Sequence, residues 1–213
     1  MSASEHEAAA KAHDREAAAH AAEYHPNASS SKTSCGGGSA TKYIEGPCWT
    51  SSENPTAAHL KDADDHQKMA ADHRAASKSL RDAEDKACVG LAASDRDESP
   101  FSHRDDIVSA NKLEATVSSG KSTTSKLVGA TVVVRAVPGL TKEYLQRAID
   151  CHLARNAAMG FGMTEMAFCP LSVRGVRATV VSSGAGFGVE LRTDDAAAAT
   201  EVLKRATMLV PAS

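Results

Sequence analysis

Two tracts without internal glycine or proline, residues 3 to 24 and 56 to 87, carry histidine at every seventh position. His6, His13 and His20 lie in the first, His59, His66 and His73 in the second. Good helix formers surround them, ten of them alanines in the first tract, so both tracts predict α-helices. Pro26 stops the first; Asn54 can cap the second and Pro55 suits its first turn. Seven residues advance an α-helix by about 10.5 Å and nearly two turns, so each set of histidines forms a stripe along one side. A loop joining two helices favours an antiparallel hairpin. In that register His20 pairs with His59, His13 with His66 and His6 with His73. The pairing follows from the equal steps and is not separate support for contact between the stripes.

Facing stripes would place two imidazoles on each rung, which is half of a metal site. Residues three or four positions away on the same face can complete it. The candidates are Glu16 between His13 and His20, Asp62 between His59 and His66, and Met69 between His66 and His73. Imidazole with carboxylate suits zinc or copper(II), and imidazole with thioether leans toward copper. The expectation is therefore binding, storage or sequestration of copper or zinc ions by facing histidines. Two other functions fit the same pattern. One is an interaction module whose histidine seam responds to pH, because imidazole changes charge near neutrality. The other is a metalloenzyme or metal sensor, which requires an open coordination position on one rung.

Residues 1 to 125 hold 14 Lys+Arg against 20 Asp+Glu, and residues 126 to 213 hold 10 against 7. No basic patch stands out, so a nucleic-acid partner is not expected. Nor does any run of about 18 apolar residues mark a transmembrane segment. In the second tract Leu60, Ala63, Met69, Ala70, Ala76, Leu80, Ala83 and Ala87 make a stripe of mostly small side chains. A partner helix can approach it closely, and copies of the chain can associate through the Ala-rich helices.

The Val, Leu, Phe and Met content rises after residue 126, which divides the chain into a helical hairpin (1–110), a linker (111–126, ending in SSGKSTTSK) and an α+β domain (127–213). GKST lacks the glycine a phosphate-binding loop needs at position 115, where Ala115 stands. LVGATVVVRAV reads as a strand, TKEYLQRAIDCHLARNAAMG as a helix, VRATVVSSGAGFGVELRT as a hairpin and DDAAAATEVLKRATML as a closing helix. This β-α-β-β-α order predicts a ferredoxin-like sandwich lacking or displacing its last strand.

Cys35 and Cys48 flank a Gly/Ser-rich loop, Cys151 and Cys169 bracket a helix end, and Cys88 is left over. Two loop-closing disulfides would suit an oxidising compartment, a bacterial envelope or periplasm, with the signal outside the given chain; the alternative is a cytoplasmic protein with reduced thiols. MSASEHEAAA itself has no charged n-region followed by an apolar segment. A second cluster of soft ligands, His152 with Met163 and Met166, lies between and beside Cys151 and Cys169. Its ordinary counterpart is a disulfide, a satisfied histidine and core methionines.

The element order of residues 127 to 208 resembles that of heavy-metal-associated domains, copper carriers of ferredoxin-like fold. That family's Cys-x-x-Cys after the first strand is replaced here by RAVPGLT, so the resemblance implies a fold and no metal site. The chain is also similar in style to uncharacterised bacterial envelope proteins with an Ala/His-rich helical part, which implies no activity. No hydrolase, zincin, haem-attachment or dinucleotide motif occurs, and no catalytic residue is assigned. The acidic run Asp95, Asp97, His103, Asp105 and Asp106 reads as a solvated face.

Overall fold

The structure, a computed structural model, describes residues 1–35, 48–119, 122–161, 168–184 and 186–211. It is mixed helix and antiparallel sheet with a helical N-terminus. Two compact units divide the chain, one of residues 6 to 75 and one of residues 1 to 5 with 76 to 213.

In the unit of residues 6 to 75, helices α1 (Ala3–Glu23) and α2 (Ala57–Ala87) flank an antiparallel hairpin of β1 (Ser30–Cys35) and β2 (Cys48–Glu53). The expected loop is thus partly β-ribbon, closed by the anticipated Cys35–Cys48 disulfide. Asn54 starts α2: its Oδ1 accepts from the Thr56 amide at 2.8 Å, and its Nδ2 donates to the His25 carbonyl at 2.9 Å. Ala10, Ala17, Ala63 and Ala70 are buried to 4 % exposure or less. Leu60 and Met69, expected on the stripe, are exposed instead. The side chains that seal this seam are methyl groups.

In the other unit, β3 (Ile107–Ser119), β4 (Ser122–Arg135), β5 (Arg177–Ser183) and β6 (Gly186–Arg192) form one antiparallel sheet in the order β3-β4-β6-β5. Helix α4 (Lys142–Ala158) packs against β5, and α5 (Ala196–Leu209) crosses β3 and β4. Thr141 and Asp195 cap these two helices by accepting amide protons from Tyr144 and Ala198. Val132, Val180, Val189 and Leu191 of the sheet meet Ile149, Val202 and Leu209 in a closed core. Each such side chain contributes roughly 1.5–3 kcal/mol through burial. A short helix, α3 (Ala93–Asp97), precedes β3.

Two expectations are corrected here. Residues 111–119 and 122–126 are no linker, because they belong to β3 and β4, paired continuously from Glu114↔Leu127 to Ser119↔Ser122. The Ser/Thr/Gly/Lys composition of residues 118 to 126 carries no alternation and reads as a linker, whereas the alternation of Lys112, Leu113, Glu114, Ala115, Thr116, Val117 and Ser118 was the strand signal that could have been read. The second disulfide is Cys88–Cys151, and the free cysteine is Cys169. Pairing by nearness in sequence failed because α4 turns Cys151 toward the end of α2, where Leu91 and Ala148 join the same buried cluster.

The edge strand β5 is guarded by one side chain. Gln146 of α4 accepts from the Val180 amide at 2.7 Å and donates to the Ala178 carbonyl at 3.2 Å, so its amide stands in for the peptide of a neighbouring strand. On β4, Gly129 has φ +150°, and a Cβ there would lie 1.8 Å from the Leu191 carbonyl oxygen. Gly129→Ala is expected to destabilise this unit by about 3 kcal/mol. Urea unfolding followed by far-ultraviolet circular dichroism checks this, and an unchanged midpoint would contradict the close approach.

Candidate metal centre

The two histidine stripes face each other. His6 and His73 approach with Nδ1 atoms 2.9 Å apart, His13 and His66 at 3.1 Å, and His20 and His59 at 3.4 Å. All six side chains are partly buried, beside the alanine seam that lets the helices come this close. Each Nδ1 pair can hold one proton as an N–H···N bond, with one ring donating and the other accepting.

The rungs are not isolated from one another. His13 stacks on His73 at 5.5 Å between centroids and 14° between planes, and His20 stacks on His66 at 5.5 Å and 13°. With the tilted pairs within rungs, at 5.2, 5.3 and 5.7 Å, the six rings form one unbroken file. It runs His6, His73, His13, His66, His20, His59. The 10.5 Å step expected between rungs applies to the backbone. The rings lean into the gaps and halve it.

One rung has a third donor. Glu23, the last residue of α1, brings Oε2 to 3.0 Å from His59 Nδ1. His20, Glu23 and His59 form the one group of three or more His, Cys, Asp or Glu ligand atoms within 4.8 Å of one another among the described residues. Tetrahedral zinc with Zn–N bonds near 2.0–2.1 Å separates its ligand atoms by about 3.3 Å. The His20–His59 spacing matches that edge, whereas the 2.9 Å of His6–His73 is an N–H···N hydrogen-bond length.

The carboxylate and thioether candidates lie elsewhere. Glu16 and Met69 are exposed and Asp62 is half-buried, and neither carboxylate belongs to the three-ligand group. Glu23 was not anticipated, yet it stands three residues after His20, as Glu16 stands three after His13. The spacing was the available signal, and only at the end of α1 does it deliver a carboxylate to the rung.

The second cluster is placed in the sheet unit's core. His152 is 3 % exposed, with Nε2 3.5 Å from the Cys169 thiol, which also meets Ser99 Oγ at 3.3 Å. Burial, and secondarily the Arg155 guanidinium, pushes the His152 pKa down to about 4. Burial likewise pushes the Cys169 thiol up. A neutral imidazole beside a neutral thiol is a packed polar pair. Met163 and Met166 lie outside the described residues.

The chain matches no protein-family model, no curated protein and no solved structure.

The depressed His152 pKa has a definite pH signature. The unfolded chain, with imidazole near pH 6.5, binds this proton more readily than the folded one between about pH 6.5 and 4. Stability contributed by His152 is therefore complete above pH 6.5 and is lost as pH falls toward 4, by up to roughly 3 kcal/mol. His152→Phe is expected to flatten this part of the stability curve, measured by denaturant titration between pH 7 and 4. An identical slope in the variant would show that His152 does not report its burial.

Proposed function

We propose that this protein binds a transition-metal ion, copper(II) or zinc, between the two helices of its N-terminal hairpin. The convergence of His20, Glu23 and His59 carries the proposal. Two imidazole nitrogens and one carboxylate oxygen form a borderline donor set, which favours copper(II) over zinc by intrinsic affinity and accepts either. The first ion goes to this rung, where a carboxylate already stands beside the two imidazoles. The pairs His13/His66 and His6/His73 are two-imidazole positions that gain a metal only by giving up their shared proton, which suits storage or sequestration of further ions.

The proposal extends to place and fold. Two disulfides support an oxidising compartment such as a bacterial envelope. Among the described residues no helix is long and apolar enough to cross a membrane. For the sheet unit we infer a ferredoxin-like arrangement in which β3, arriving before the βαββα series, occupies the edge beside β4. The hydrogen-bond length of the His6–His73 rung favours one second reading, a seam whose polar pairs fix the register of the hairpin and in which the rungs His6/His73 and His13/His66 stay metal-free.

Titration of the metal-free chain with zinc and with copper(II) tests the function. One tight equivalent is expected; Glu23→Gln should weaken it by at least about tenfold. Replacing all six ladder histidines by alanine, itself the best helix former, should abolish stoichiometric uptake with the helices intact. No bound metal at micromolar supply, or equal uptake by the six-alanine variant, would refute the assignment.

A further inference from the structure

A second cleft, wholly within the sheet unit and unrelated to the histidines, has a lining that specifies a ligand. It encloses about 190 Å³ between the end of the sheet, the first half of α4 and the segment from α3 to β3. Its floor is apolar: Ile107, Val134 and Leu145 are buried members of the main core, and Leu140 and Val137 extend that surface outward. Its rim carries the carboxylates of Asp95, Glu98 and Asp106, together with His103 and the ring of Tyr144. Among the described residues no lysine or arginine lines it.

Among the described residues no ion pair compensates these carboxylates. Asp95 accepts the Tyr144 hydroxyl and the Ser94 hydroxyl, and Glu98 accepts the Ser102 hydroxyl at 3.3 Å; these are neutral donors. The neighbouring cations are engaged elsewhere. Arg104 lies over the Phe168 ring at 5.1 Å, and Arg155 pairs with Asp97 and Glu84. An apolar floor under three carboxylates that form no ion pair among the described residues, beside an aromatic ring, calls for a ligand with a hydrocarbon body and a cationic head. A metal ion would leave the floor unused, and an anion would meet only like charge.

We infer that this cleft binds a small organic ammonium ion, its hydrocarbon part on Ile107, Val134 and Leu145 and its charged head among Asp95, Glu98, Asp106 and the Tyr144 ring. The acidic run that reads in the sequence as a solvated face is thereby divided: Asp95, His103 and Asp106 turn to the cleft with Glu98, whereas Asp97 pairs with Arg155.

Phenethylammonium chloride is a suitable probe, with 2-phenylethanol as its neutral counterpart, each titrated into the full-length protein and followed by amide chemical shifts. The expected result is saturable binding of the ammonium ion, with shifts confined to residues 95 to 107 and 134 to 148. The alcohol should bind at least about tenfold more weakly, and the Glu98→Gln/Asp106→Asn double variant should lose a similar factor for the ammonium ion alone. Both substituted positions lie at the rim, and an unchanged melting temperature confirms that the variant is folded. Equal binding of alcohol and ammonium, unchanged affinity in the double variant, or the absence of saturable shifts in these segments would overturn the inference.

Discussion

The close approach of two helices over alanine is the constraint on which the N-terminal half depends. Ala10, Ala17, Ala63 and Ala70 fill the interface with single methyl groups, and larger side chains there would hold the axes apart. Imidazoles on a wider interface would reach water before they reached each other. Because the seam is thin, each pair of rings meets at Nδ1, and His73, His13, His66 and His20 also stack across the space between rungs. The histidines therefore do two jobs with one placement: they are polar contacts across the hairpin and packing against their own neighbours. Exposed ion pairs such as Lys61–Asp65 add little beside this.

The seven-residue step was legible in the sequence because helical geometry is rigid enough for arithmetic to carry over into space. Which rung would recruit a carboxylate was not. His13–Glu16 and His20–Glu23 share one spacing, yet only Glu23, at the terminal residue of α1, reaches across to His59. The difference lies in the surroundings of the carboxylate, and a single-helix pattern holds no information about them. The stripe on α2 was legible in part: it was drawn through Ala63 and Ala70, which are buried, and equally through Leu60 and Met69, which are exposed.

In the sheet unit the elements with strong periodicity, from Val132 in β4 to Leu191 in β6, lie where the pattern put them. Strand β3 escaped because the Ser/Thr-rich start of β4 that pairs with it reads as a linker, although Lys112 to Ser118 alternate polar and apolar residues as a strand does. The cysteines escaped for another reason. Disulfide partners are chosen by the folded path, and Cys88 and Cys151 are 63 residues apart. The same path leaves Cys169 beside His152, where neither group is free to ionise readily.

The interleaving of the six rings has a mechanical consequence. A helix pair joined only by methyl groups is smooth along its length and can slide, since one alanine offers much the same surface as the next. Here each of the four inner imidazoles, His73, His13, His66 and His20, sits like a tooth between two others. Axial displacement by less than a full heptad, about 10.5 Å, would drive ring into ring. The hairpin is keyed, so its register is set by shape before any proton or ion contributes.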